Sequence, residues 1–153
     1  MKDRIGLILG RFQPIHRGHI HLMQRALKQC ASIVIVVGST NVSDDKNPFS
    51  FDQRKNMIIK ALAKFNLSSR VKGIIAVPDN PSDDAWMKSI ENGVGEFDVV
   101  FGNNEWPNKI FESAGYSVVR VPYLNRERYE GTSIRKSLDL HADLRPQLER
   151  YLE

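Results

Sequence analysis

The residues with the clearest chemistry lie near the start of the chain: Gly10-Arg11-Phe12-Gln13-Pro14-Ile15-His16-Arg17-Gly18-His19. Gly10 lets the backbone pass close to a ligand. A helix beginning near Arg17 would aim its free amides and the positive end of its dipole into the same space. Phosphate is the natural occupant of such a corner. His16 and His19, three apart, share one face at the helix start, where imidazoles can donate hydrogen bonds to phosphate oxygens. Arg11 adds a planar, permanently charged fork. Taken in isolation, H-x-x-H beside an arginine more often describes two surface histidines and a salt-bridging side chain; the full ten-residue string reverses that. The stretch is neither the G-x-G-x-x-G of dinucleotide oxidoreductases nor the G-x-x-x-x-G-K-[ST] of P-loop enzymes, so redox and kinase chemistry have no sequence support.

The elements around this stretch read as strands alternating with helices. Ile5 to Leu9 is a short, continuously apolar run, as in a strand covered on both faces. Ile20, Leu22, Met23, Ala26 and Leu27 recur at helical spacing through about Cys30, and Ile33 to Val37 is a second buried strand. A loop rich in Ser, Asn, Asp and Pro runs from Ser39 to Pro48. It is followed by a helix over Phe51 to Phe65 with Met57, Ile58, Ala61 and Leu62 on one face. Further on come a strand at Val71 to Val77, a short helix at Ala85 to Asn92 and a strand at Phe97 to Phe101. A helix at Pro107 to Ala114 and a strand at Tyr116 to Val121 follow. Thr132 can cap a helix through about Leu140, and Asp143 a last one through Leu152.

The pattern predicts an α/β fold: one Rossmann-like, doubly wound, parallel five-stranded sheet spanning residues 1–153 as a single domain. Ligands on such sheets sit beyond the carboxyl ends of the strands. This rule gathers the Gly10 turn, the Gly38-Ser39 loop, the Pro78-Asp79 loop, the Phe101 to Asn104 turn and the loop before Thr132 along one edge.

Twenty-two basic and 18 acidic residues leave a net charge of +4. The basic side chains are scattered, with no run to suggest a nucleic-acid tail, and a small anionic ligand accounts for the balance. Cys30 is the only cysteine, which excludes an internal disulfide or a cysteine-cluster metal site and fits a reducing cytoplasm. No apolar segment reaches the roughly 18 residues of a membrane span, and none suits a signal peptide.

The ten-residue string resembles the G-R-F-Q-P-x-H-x-G-H signature of the nicotinamide mononucleotide adenylyltransferases of the archaeal type. These belong to the nucleotidyltransferase superfamily marked by H-x-G-H. Further stretches follow in the order found in that family. They are Lys46-Asn47-Pro48-Phe49-Ser50 with Arg54, Pro78-Asp79, Trp86, Phe97 to Val100, Gly102-Asn103-Asn104, Asn125 to Tyr129 and Gly131 to Lys136. The resemblance implies transfer of AMP from ATP to nicotinamide mononucleotide, giving NAD and pyrophosphate, with magnesium or another divalent ion accompanying ATP.

Residue by residue, the resemblance implies that His16 and His19 hold the triphosphate and the transition-state oxygens. Arg11, Lys46 and Arg135 would neutralise the departing pyrophosphate. Gly10, Phe12, Gln13 and Gly18 would line the ATP site, with Gly102, Asn103 and Asn104 at the adenine or ribose. Thr132, Ser133 and Ile134 would bring a second helix start to the triphosphate. For the mononucleotide it implies Ser39, Asp79, Asp83 and Trp86, the indole stacking on the pyridinium ring. No resident metal ligand is implied, nor a nucleic-acid or membrane partner; a homo-oligomer is compatible. The chain departs from the family at Asp83, where relatives often have Asn, and at Lys46, where some have Arg. Two other readings share the fold: an H-x-G-H transferase acting on phosphopantetheine or using CTP, and a nucleotide sensor without catalysis.

Overall fold

Five runs of branched apolar residues pair side by side in one sheet: β1 (Ile5–Gly10), β2 (Ser32–Val37), β3 (Val71–Ala76), β4 (Val99–Gly102) and β5 (Ser117–Arg120). All neighbouring pairs are parallel, in the order β3-β2-β1-β4-β5. The computed structural model describes residues 3–124, 131–138 and 142–153, with Thr132 and Ser133 described in their backbone alone. The chain leaves β1 outward to β2 and β3, then returns to build β4 and β5 on the other side. The connections therefore diverge between β1 and β4, and a crevice opens there beyond the strand ends.

Helices cover both faces, which is why the central strands are apolar throughout rather than alternating. On one face, α1 (Arg17–Leu27) and α2 (Phe51–Lys64) bury Ile20, Met23, Ile58 and Leu62 against Ile8, Ile33 and Ile35. On the other, α3 (Asp83–Val94) and α4 (Glu105–Ser113) set Met87, Ile90 and Phe111 against Leu7, Val34 and Val100. Among the described residues, α5 (Gly131–Ser137) and α6 (Leu144–Glu149) complete the helices, and a 3₁₀ turn at Arg150–Leu152 buries Leu152 in the first cluster. No described helix is long and apolar enough to cross a membrane.

The fold class is the one the sequence predicts; the element ends differ for local reasons. Helix α1 stops at Leu27 rather than near Cys30, because the Lys28 and Gln29 amides tighten onto the carbonyls three residues back, Arg25 and Ala26. Arg70 then donates to the carbonyls of Leu27 and Cys30, each at 2.8 Å, so the helix ends on a side-chain cation. Helix α4 starts at Glu105, ahead of Pro107, because Asn104 caps it by accepting from the Trp106 amide at 3.2 Å. Pro107 falls in the first turn, where its missing N–H costs nothing. Helix α3 is longer than expected at both ends; Ser82 caps it through the Ala85 amide. Phe97 precedes β4 and stacks on Tyr116 at 4.4 Å. Helix α5 begins at Gly131, so Thr132 stands within its first turn and is not its cap.

Candidate active site

The loop leaving β1 is held in an uncommon backbone shape. Phe12 has φ of 52° and buries its ring, 1% exposed, directly over Gly10. A Cβ on Gly10 would meet that ring at 3.0 Å, tighter than ordinary contact, so any side chain there would have to push the buried ring aside. The Gly10 carbonyl accepts from the Gly38 amide at 2.9 Å, tying the loops after β1 and β2 together. The Gln13–Pro14 peptide is cis. Gln13 is buried and spends its amide group on Phe49, donating to the carbonyl at 3.1 Å and accepting from the N–H at 3.0 Å.

The two histidines form a capping box in place of the usual Ser and Glu. His16 is the N-cap of α1, and its Nδ1 accepts the Gly18 amide at 3.1 Å. Nδ1 of His19 accepts the His16 amide at 3.0 Å. With each Nδ1 used as an acceptor, a neutral ring carries its proton on Nε2, which makes both imidazoles donors at that atom. The rings lie against each other with centroids 3.9 Å apart, and Phe12 covers His19 at 4.5 Å. Burial lowers the His16 pKa to about 3. Burial, and secondarily the neighbouring His16, holds His19 well below the usual imidazole range. Both are therefore neutral at physiological pH.

His16 and His19 border a cavity of about 270 Å³ in the crevice between β1 and β4, which also takes in Gly10, Arg11, Phe12, Gln13, Gly18, Asn103, Asn104 and Arg135. None of the described residues lining it is a carboxylate. Arg11 is exposed at its rim, and Arg135 lays its Nη1 on the Gln13 carbonyl at 2.7 Å. A larger groove of about 830 Å³ runs between α3 and α4, but Asp83, Asp84, Glu91 and Glu105 all line it. Four carboxylates outnumber its two lysines, Lys88 and Lys109, so the smaller cavity is the better anion site.

The other expected site residues fall in several places. Gly102 sits at the end of β4, where a Cβ would lie 2.2 Å from Oδ1 of the buried Asn108; Asn104 has its capping duty as well as its place on the cavity wall. Ile134 is buried within α5, and the side chains of Thr132 and Ser133, like the stretch at 125–130, lie outside the described residues. Ser39 and Asp79 join the loops after β2 and β3, the hydroxyl donating to the carboxylate at 2.8 Å, while Asn41 and Asp79 exchange two further bonds. Neither lines the cavity. Asp83 is exposed in the first turn of α3 and faces the acidic groove. Trp86 packs its edge on Phe111 at 5.7 Å, in the apolar layer under α3 and α4. Lys46 is exposed on the loop between β2 and α2, apart from the cavity.

Arg54 is missing from the site predicted from sequence. It is 1% exposed and donates from Nη1 to the carbonyls of Arg11 and Gly38, both at 2.8 Å. A signal for it existed: the stripe Ile58, Ala61 and Leu62, carried back one turn, lands on position 54.

A family model described as cytidylyltransferase-like matches residues 7–137. The nicotinamide-nucleotide adenylyltransferase of Pyrococcus furiosus is 35% identical over 135 residues, covering 87% of this chain and 72% of the relative. That of Methanococcus aeolicus is 35% identical over 138 residues, covering 90% and 78%. The chain belongs to the nicotinamide-nucleotide adenylyltransferase family. In structure it is similar to a bifunctional NMN adenylyltransferase/ADP ribose pyrophosphatase from Francisella tularensis complexed with AMP and a Mn ion. There the TM-score is 0.72 at 28% identity, over 89% of this chain and 41% of the other, so the chain spans about two fifths of that bifunctional protein. A Plasmodium falciparum nicotinic acid mononucleotide adenylyltransferase, 14% identical with a TM-score of 0.60 over 99% of this chain and 91% of the other, shares the fold.

Proposed function

We propose that the protein is an adenylyltransferase that joins the AMP part of ATP to nicotinamide mononucleotide, releasing pyrophosphate and forming NAD. The observation that carries this reading is a cavity bordered by two neutral histidines whose Nε2 atoms are donors, with two arginines and no carboxylate among its described lining residues. The nucleophile is a 5′-phosphate oxygen of the mononucleotide, already ionised at neutral pH. It attacks the α-phosphorus of ATP; a P–O bond forms there as the bond to the β-phosphate oxygen breaks, and the electron pair leaves with pyrophosphate. No proton has to be removed, so the protein need supply only alignment and charge stabilisation.

Each group then has a task. The Nε2–H donors of His16 and His19 stabilise charge on the α-phosphate oxygens, and Arg11 and Arg135 balance the leaving pyrophosphate. Asn103 and Asn104, beside β4, suit the adenosine end. The Ser39-Asp79 pair, across the sheet at the tips of β2 and β3, suits the mononucleotide end. Lys46, Asp83, Trp86, Thr132 and Ser133 belong to this reading through the family resemblance; the placement of Asp83 and Trp86 outside the cavity makes their contacts dependent on how the acceptor lies. Among the described residues no group of three or more His, Cys, Asp or Glu side chains could hold a metal ion. A divalent ion fits instead as part of the substrate, carried on the ATP phosphates. The lone buried thiol of Cys30 suits a cytoplasmic enzyme, and the whole chain is read as one nucleotidyltransferase domain.

The test is to incubate the protein with ATP, magnesium and nicotinamide mononucleotide and to quantify NAD and pyrophosphate. Equal amounts of both are expected. Product from phosphopantetheine or from CTP instead would move the chain to another transferase branch, and nucleotide binding without product would make it a sensor.

A further inference from the structure

Arg54 is a buried cation that the transfer chemistry leaves without a role. It sits in the first turns of α2, and its Nε also reaches the Ser50 carbonyl at 3.3 Å. Every partner is a carbonyl; among the described residues no carboxylate pairs with it. Burial lowers its pKa, yet a guanidinium remains charged at neutral pH. A positive charge enclosed by protein and unmatched by a negative one is costly unless something else is gained from it.

What it grips suggests the gain. The carbonyls of Arg11 and Gly38 belong to the first residues of the two loops that leave β1 and β2. The next residue in each loop, Phe12 and Ser39, has a left-handed backbone, with φ of 52° and 56°. In a trans peptide the C=O and the following N–H point in opposite directions. Drawing both carbonyls toward one nitrogen therefore turns the amides of Phe12 and Ser39 to the far side. Among the described residues neither amide has an acceptor. Phe12 lines the anion cavity, and Ser39 follows Gly38, whose amide donates to Gly10 on the cavity wall.

We propose that Arg54 is a positioning residue for the transfer reaction. Its guanidinium fixes the peptide planes 11–12 and 38–39 so that the Phe12 and Ser39 amides face the phosphates of the two substrates, while Arg54 touches neither substrate. The inference rests on the adenylyl-transfer reading and names how its loops are held.

Two variants and one titration test it. Arg54→Met keeps the length of the side chain and removes the grip; Arg54→Lys keeps the charge and can still reach carbonyls. With both folded at the assay temperature by circular dichroism, Arg54→Met should lose about 100-fold in kcat with KM for ATP changed far less, and Arg54→Lys should recover most of the loss. A full kcat in Arg54→Met, or equal losses in the two variants, would overturn the proposal. If Arg54→Met does not fold, the wild-type protein decides. In its ¹⁵N–¹H spectra the Phe12 and Ser39 amides should shift as inorganic pyrophosphate and then nicotinamide mononucleotide are added; unmoved amides would overturn it. Failure of the wild type to make NAD strikes the transferase reading, whereas a fully active Arg54→Met strikes this one alone.

Discussion

At the scale of single residues, the unusual feature is a pair of imidazoles used as uncharged donors. A protonated histidine would hold phosphate more strongly, but it would also hold ATP and pyrophosphate alike. A neutral Nε2–H, fixed by a backbone bond at Nδ1, favours the charge that develops in transit. Replacing His19 with Ala should therefore lower kcat by about 100-fold or more while the dissociation constant for ATP changes much less, as steady-state kinetics beside calorimetry would read. Equal losses in both would assign His19 to simple ATP binding. The same burial has a cost in acid. Unfolded, His16 takes up a proton near pH 6.5; folded, it does so at about 3. Between these values the unfolded chain binds more protons, so stability falls as pH drops through that window, by about 1.4 kcal/mol per pH unit for each such histidine. Denaturant melts of His16→Asn, which keeps a capping acceptor and loses the titration, should show a shallower acid slope than the wild type. Identical slopes would mean that His16 is already accessible to protons.

At the scale of elements, the catalytic corner is held by segments distant in sequence. The β1 loop is tied to the start of α2 twice, through Gln13 to Phe49 and through Arg54 to Arg11. The histidines and Gly10 are legible from the string itself, because two imidazoles and a glycine at a helix start after an apolar strand are types suited to holding phosphate. Gln13 shows the limit of that reading. Its motif assigns it to ATP, while its amide group is bonded to the Phe49 backbone, and a backbone partner leaves no residue-type signature. Gln13→Ala would strand a buried N–H and C=O on Phe49 and should destabilise the fold by about 1–3 kcal/mol, a drop of a few degrees in Tm. A Tm equal to that of the wild type would show the clasp to be dispensable. Element ends were obscured in the same way. Arg70 stops α1, and Asn104 starts α4 ahead of a proline, through contacts that periodicity does not register.

At the scale of the whole molecule, the fold class was the most legible property. Parallel strands covered on both faces must be continuously apolar, and ligands on such sheets sit beyond the carboxyl ends of the strands; the strand order, and with it the β1–β4 crevice, comes from the structure. Less legible was which side chains would meet there. Trp86 and Asp83 are aromatic and acidic residues of the expected types, yet one is spent on Phe111 and the other faces a carboxylate-lined groove. The central claim is that one cavity at the β1–β4 crevice binds the polyphosphate for transfer. It is tested most directly by the structure of the protein with a non-hydrolysable ATP analogue and nicotinamide mononucleotide. The account predicts phosphate oxygens within hydrogen-bond distance of Nε2 of both His16 and His19, with adenosine toward Asn103. A polyphosphate seated away from both imidazoles would contradict it.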